Sequence, residues 1–284
     1  MSARLLRIAD RTVFTEESGD GAPVIMVHGL GGTSSCFEPL AAGLSRQYRT
    51  IRYDFNGHGR TPLRPPVTIG SLTDELEALV ATMADRPVCV IAHSMGTLIA
   101  LQLAADRPEM IDRMVLISPV RGASPAAGQA MSDRAALARS QGMAAIAESA
   151  LTSGTSRSAR ESNPLLTALI RELLLGQDSE AYAQACEARA GARDCDLRGV
   201  GAPVLLLSGS EDPLSSAELT ARLTREMPQA RQVTLARCGH WPLIERAPAV
   251  LAAVSAFLQS DALPGQADDR AAHQHDRPVP PGYE

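Results

Sequence analysis

One stretch, Val88-Cys89-Val90-Ile91-Ala92-His93-Ser94-Met95-Gly96-Thr97-Leu98-Ile99-Ala100, restricts the possible folds of this 284-residue chain more than any other. It begins as an unbroken apolar, β-branched run bounded by Pro87, the pattern of a strand buried on both faces. It continues as Gly96, Leu98, Ala100, Leu101 and Ala104, the spacing of a buried helix. Ser94 therefore falls at a one-residue turn between strand and helix. Such a turn strains the serine backbone and demands small residues two positions before and after it; Ala92 and Gly96 meet that demand. The helix that follows would aim its unpaired N–H groups at the serine hydroxyl, where an oxyanion could be held.

The surrounding pattern predicts the layout. Buried or half-buried strands are read at Leu5–Ile8, Thr12–Glu16, Pro23–His28, Tyr48–Tyr53, Met114–Ser118, Pro203–Ser208 and Gln232–Ala236. Helical spacing occupies Cys36–Ser45, Ile69–Met83 and Pro248–Leu258. Strands alternating with helices imply a parallel sheet covered on both faces, with a ligand at the carboxyl ends of the strands. From 119 to 198 strand-like runs vanish and helices take over: Asp133–Leu151, one started by Asn163-Pro164, and Asp178–Arg189. The expected organisation is a core over 1–118 and 199–260, an inserted helical cap over 119–198 and a disordered tail over 261–284.

Gly29-Leu30-Gly31-Gly32 follows the third strand, and its glycines let the backbone turn N–H groups inward. The spacing is not that of a dinucleotide-binding loop. Asp54 and His58 read as turn residues. Asp212 and His240 each follow a predicted strand, so Ser94, Asp212 and His240 should meet on one edge of the sheet. That set has a chemical logic. A serine hydroxyl needs a base, a histidine titrates in the right range, and a buried carboxylate fixes the imidazole tautomer.

These residues together resemble the α/β-hydrolase family: the x-Ser-x-Gly elbow at 93–96, with Ala92 where Gly is usual, the His-Gly-x-Gly-Gly loop at 28–32, Gly-x-x-Asp ending at Asp212, and Gly239-His240. The resemblance implies an eight-stranded, mostly parallel sheet with flanking helices and an inserted helical lid. It further implies catalysis by Ser94, Asp212 and His240, and an oxyanion hole from the N–H groups of Leu30 and Met95. Within the family the chain is most similar to 3-oxoadipate enol-lactonases. That likeness rests on the two glycine motifs and on lid text such as 141–147 and 181–186. The implied substrate is a small acidic lactone or ester. His240-Trp241-Pro242 with Glu245 also resembles the meta-cleavage C–C bond hydrolases; a general carboxylesterase and a hydrolase-fold small-molecule-binding protein are the other readings. Trp241, Arg139 and Arg121 are candidate substrate contacts, and Arg134, Arg189 and Arg193 are further candidates to meet a substrate carboxylate.

Composition narrows the chemistry. All 27 basic residues are arginine, which excludes Schiff-base and phosphate-loop lysine chemistry. A net charge of −5 without a basic cluster argues against nucleic acid or an anionic membrane as partner. Five scattered cysteines show no metal-ligand spacing. No metal or organic cofactor is expected. With no apolar leader visible, the expected location is the cytoplasm. Oligomeric state is not legible.

Overall fold

The computed structural model describes residues 2–260. The tail expected to be disordered lies outside them. Eight strands form one sheet in the order β1-β2-β4-β3-β5-β6-β7-β8. The strands are β1 (Ser2–Ile8), β2 (Arg11–Ser18), β3 (Ala22–Val27), β4 (Tyr48–Asp54), β5 (Val88–His93), β6 (Ile111–Ile117), β7 (Val204–Gly209) and β8 (Ala230–Leu235). β2 runs antiparallel to β1 and β4, and every other pairing is parallel. The central strands β5 and β7 are buried at every position, which is why they read as continuous apolar runs rather than alternating ones.

The sheet is covered on both faces. α2 (Ile69–Met83) and α3 (Met95–Asp106) place Leu72, Leu76, Ile99 and Leu103 in one core layer. α1 (Glu38–Leu44) and α10 (Ala247–Gln259) place Leu40, Leu44, Val250 and Val254 in the other. Each such side chain contributes about 1.5–3 kcal/mol by leaving water. α8 (Ala217–Glu226), which the sequence reading missed, buries only Thr220 and Leu223; its exposed polar face hid its helical period.

Between β6 and β7 lie α4 (Pro125–Gly154), α5 (Arg157–Ser162), α6 (Pro164–Leu175) and α7 (Ser179–Ala190). α4 is broken at Gly142, whose φ of 71° is left-handed, so the segment expected as one helix is two. α6 starts as its sequence suggests, Pro164 in the first turn and the Asn163 side chain accepting from Leu166 N–H at 3.1 Å. α4, α6 and α7 share the core layer of α1 and α10 through Ile146, Ile170, Tyr182 and Ala183.

The chain visits β3 then β4 on one side and β5 through β8 on the other. The strand order therefore reverses between β3 and β5, and the crevice beyond their carboxyl ends is the place for a ligand. The Gly29–Gly32 turn and Ser94 both sit there. Among the described residues no helix is long and apolar enough to cross a membrane.

Candidate active site

Ser94 joins β5 to α3 with φ 50° and ψ −119°, a strained conformation for a non-glycine residue. Its geometry depends on close backbone approach. A Cβ on Gly96 would lie 2.5 Å from the Val27 carbonyl oxygen and 2.6 Å from that of His28, so α3 can start beside β3 only with glycine there. Ser94 N–H donates to Ile117 C=O at 3.0 Å, pinning the turn to the end of β6.

His240 reaches Ser94 from the loop after β8. Its Nε2 is 2.7 Å from Ser94 Oγ, and its Nδ1 is 2.9 Å from Asp212 Oδ2 and 3.0 Å from Oδ1. With Nδ1–H donating to the carboxylate, Nε2 is left to accept the serine proton. Asp212 Oδ1 also accepts backbone N–H groups of Leu214 at 2.9 Å and Ser215 at 3.1 Å. Burial alone would raise the Asp212 pKa, but His240 and these hydrogen bonds bring it down to about 2, so the carboxylate stays ionised.

Two buried histidines hold the parts in place. His28 accepts Phe55 N–H at Nε2, 3.1 Å away, which makes Nδ1 the protonated nitrogen, donating to Gly29 C=O at 2.8 Å. His93 donates from Nε2 to the His240 carbonyl at 2.8 Å. Burial pushes both imidazoles down to about 3, so both are neutral at pH 7. The Gly29 turn runs hard against Ser94: a Cβ there would lie 2.8 Å from Ser94 Cβ. Leu30 follows it, and Met95 opens α3, where its N–H has no intrahelical acceptor. Asp54 accepts Ser34 and Arg60 N–H groups at 2.6 and 2.9 Å, in keeping with a turn role.

The sequence reading missed Glu245 as a brace. Its carboxylate accepts N–H from Gly239 at 3.0 Å and from Ser156 at 3.1 Å, and His240 N–H donates to Gly154 C=O at 2.7 Å. The histidine loop is thereby tied to the α4–α5 junction. An acid in the first turn of the short helix α9 (Pro242–Glu245) was the available signal.

A cavity of about 370 Å³ opens above these groups and is lined by Leu30, Ser94, Met95, His240 and Trp241 together with α4 and α7. Two expected contacts are absent from it. Arg139 lies on the outer surface, where it pairs with Glu180 at 2.8 Å and with Glu187. Arg121 is buried in ion pairs with Asp194 at 3.1 Å and Glu226 at 3.3 Å. Both are held away from the cavity by acids far off in sequence. Arg193 is exposed beside a separate surface groove. Arg134 and Arg189 do line the cavity. Cys238 is buried, which raises its thiol pKa and keeps it unreactive. Among the described residues no cluster of His, Cys, Asp and Glu is arranged to hold a metal ion.

Residues 24–254 match the sequence profile of the family described as "Alpha/beta hydrolase family". A hydrolase of Acinetobacter baylyi named for (E)-2-((N-methylformamido)methylene)succinate is 26% identical over 265 residues, 92% of this chain and 99% of that protein. The enol-lactonase of Burkholderia xenovorans LB400 superposes with a TM-score of 0.84 at 30% identity, covering 90% of this chain and all of that one. A thermophilic esterase of Thermogutta terrifontis superposes at 0.85 with 24% identity, covering 91% and 98% of the two chains, a likeness of fold.

Proposed function

The chain belongs to the alpha/beta hydrolase family, and from that premise we propose that it is a serine hydrolase that cleaves a small-molecule ester or lactone through an acyl-enzyme. One observation carries the proposal. Ser94 Oγ, the His240 ring and the Asp212 carboxylate stand in hydrogen-bond contact, at 2.7 and 2.9 Å, on the floor of a cavity large enough for a small ligand.

In this mechanism Ser94 Oγ attacks the carbonyl carbon while His240 Nε2 takes its proton. The carbonyl oxygen becomes an oxyanion held by the N–H groups of Leu30 and Met95, a donor of that kind being worth about 100- to 1000-fold in rate. Collapse breaks the C–O bond, and His240 returns the proton to the leaving oxygen; in a lactone that oxygen stays attached to the acyl chain. Water, deprotonated by His240, then hydrolyses the acyl-enzyme and regenerates Ser94. Asp212 keeps the imidazole in the productive tautomer and stabilises its cation. Residues 119–198 act as the cap that roofs the site, and Trp241 forms part of its wall.

The likeness to an enol-lactonase and the lid text make 3-oxoadipate enol-lactone, or a related acidic lactone, the first compound to try. Five free cysteines fit a reducing compartment, and the cytoplasm is proposed on that ground. The test is labelling of Ser94 by an organophosphonate, abolished in Ser94→Ala, followed by turnover of lactones, p-nitrophenyl esters and a ring-cleavage dienoate. Full turnover by Ser94→Ala sinks the mechanism. Turnover of the dienoate alone moves the reading to C–C bond cleavage. Binding without any turnover moves it to a ligand-binding protein.

A further inference from the structure

α4 and α7 each turn one arginine into the cavity. Before the break in α4 the lining positions are Ala127, Ala130, Met131 and Arg134, one helical face; on α7 they are Tyr182 and Arg189, seven residues apart and again one face. No acidic side chain lines the cavity, so it carries two guanidinium groups and no facing carboxylate. Three other cap arginines are paired within the chain: Arg139 with Glu180 and Glu187, Arg157 with Glu161, Arg171 with Glu148. Arg134 is oriented by its own neighbour, its Nε donating to the Tyr182 hydroxyl at 2.7 Å, which leaves its outer nitrogens for a ligand. Arg189 differs in kind, because its Nη1 is sealed from solvent and meets no hydrogen-bond acceptor among the described residues. A buried guanidinium nitrogen without an acceptor is unfavourable, so a shift of the Arg189 side chain toward an anion in the cavity it lines is favoured.

We infer that Arg189, with Arg134 beside it, forms a carboxylate-binding subsite on the cap side of the cavity, so that the preferred substrate carries a carboxylate remote from the bond Ser94 attacks. A guanidinium fork matches the two oxygens of a carboxylate. Leu30, Met95, Val120 and Met131 give the wall an apolar stretch that suits a short carbon skeleton between carboxylate and ester. The subsite rests on the hydrolase reading but places selectivity on two residues outside the Ser94 machinery.

The test compares the mono-p-nitrophenyl ester of glutaric acid with p-nitrophenyl butyrate at constant ionic strength. The charged ester is expected to have at least tenfold higher kcat/KM, about 1.4 kcal/mol of differential binding. In Arg189→Met that preference disappears through a raised KM, while butyrate turnover stays within threefold; Arg189→Lys restores part of the preference. Equal turnover of the two esters by the wild-type protein, or an equal loss on both in Arg189→Met, overturns the subsite. Should neither ester be hydrolysed and Ser94 resist organophosphonate, the hydrolase reading fails instead. Glutarate then reads the subsite by itself: it raises Tm in the wild-type protein and not in Arg189→Met, and no rise in either overturns it.

Discussion

Mild acid should destabilise this protein, and three buried histidines, two of which brace the candidate site, are the reason. His28, His58 and His93 are wholly buried, and desolvation pushes each imidazole down to about 3 from an ordinary value near 6.5. The unfolded chain takes up three protons between those values that the folded chain refuses. Stability is therefore complete above about pH 6.5 and falls as the pH drops toward 3. At pH 5 each histidine costs about 2 kcal/mol relative to pH 7.5, about 6 kcal/mol for the set. Glu75 works the other way. Burial raises its carboxyl to about 7, so its folded form gains a proton as the pH falls through 7, returning about 2 kcal/mol by pH 5. Asp212, held at about 2, loses its contribution only below the ordinary carboxylate range and does not enter this window. The net loss is about 4 kcal/mol, a large share of the 5–15 kcal/mol typical of a folded domain. Urea unfolding at fixed ionic strength should show a midpoint about 1.5 M lower at pH 5 than at pH 7.5. His58→Phe sharpens the test, since among the described residues neither His58 ring nitrogen makes a well-formed hydrogen bond that would be lost; the variant should shrink the pH-dependent loss by about 2 kcal/mol. A midpoint unchanged or raised at pH 5 refutes the reasoning, because the imidazoles would then have to charge in place without penalty.

Three substitutions probe the site more directly. Asp212→Asn should keep the fold, since an amide oxygen can still accept from Leu214 and Ser215 N–H, yet lower kcat by about 10⁴-fold through loss of the imidazole tautomer, read by steady-state kinetics. Gly96→Ala should cost at least about 3 kcal/mol or prevent folding, because its Cβ would meet strand backbone at 2.5 Å. Gly199→Ala, whose Cβ would meet nothing within 4 Å, is its control and should leave the urea midpoint the same or slightly higher. Glu245→Ala strands the Gly239 and Ser156 N–H groups, costing about 1–3 kcal/mol each. It should reduce kcat more than it raises KM by loosening His240, with Glu245→Gln recovering most of the loss because one carbonyl oxygen remains.

Much of the site was legible because its residues sit where local chemistry marks them. Ser94 stands at a switch from β-branched strand to Ala/Leu helix, and Ala92 and Gly96 betray the tight turn. Asp212 follows the buried strand β7 and His240 the half-exposed edge strand β8, so their edge of the sheet follows once the strands are parallel. The central strands needed no further signal to be read as buried, since they are near-continuous apolar runs. The candidate catalytic set is thus written in segments of ten residues or fewer.

The helices between β6 and β7 resist the same reading for a physical reason. Whether an arginine faces a ligand or the solvent depends on the acids that reach it from other helices. Arg134 and Arg139 lie five residues apart on one helix, but only Arg139 meets Glu180 and Glu187, which α7 brings from about forty residues on. Arg189, two residues beyond Glu187 on that same helix, turns to the cavity instead. Periodicity alone places all of these on helices and says nothing of which helix faces oppose one another. The break at Gly142 then resets the helical phase between the two halves of α4, so no continuous heptad-like count carries across it. The charge facing the cavity can therefore change by re-pairing a few arginines and acids on these helices while the Ser94 turn stays fixed. A chain of this kind would reveal its core strands in local pattern, and the surroundings of its cavity only in how the helices between β6 and β7 pack.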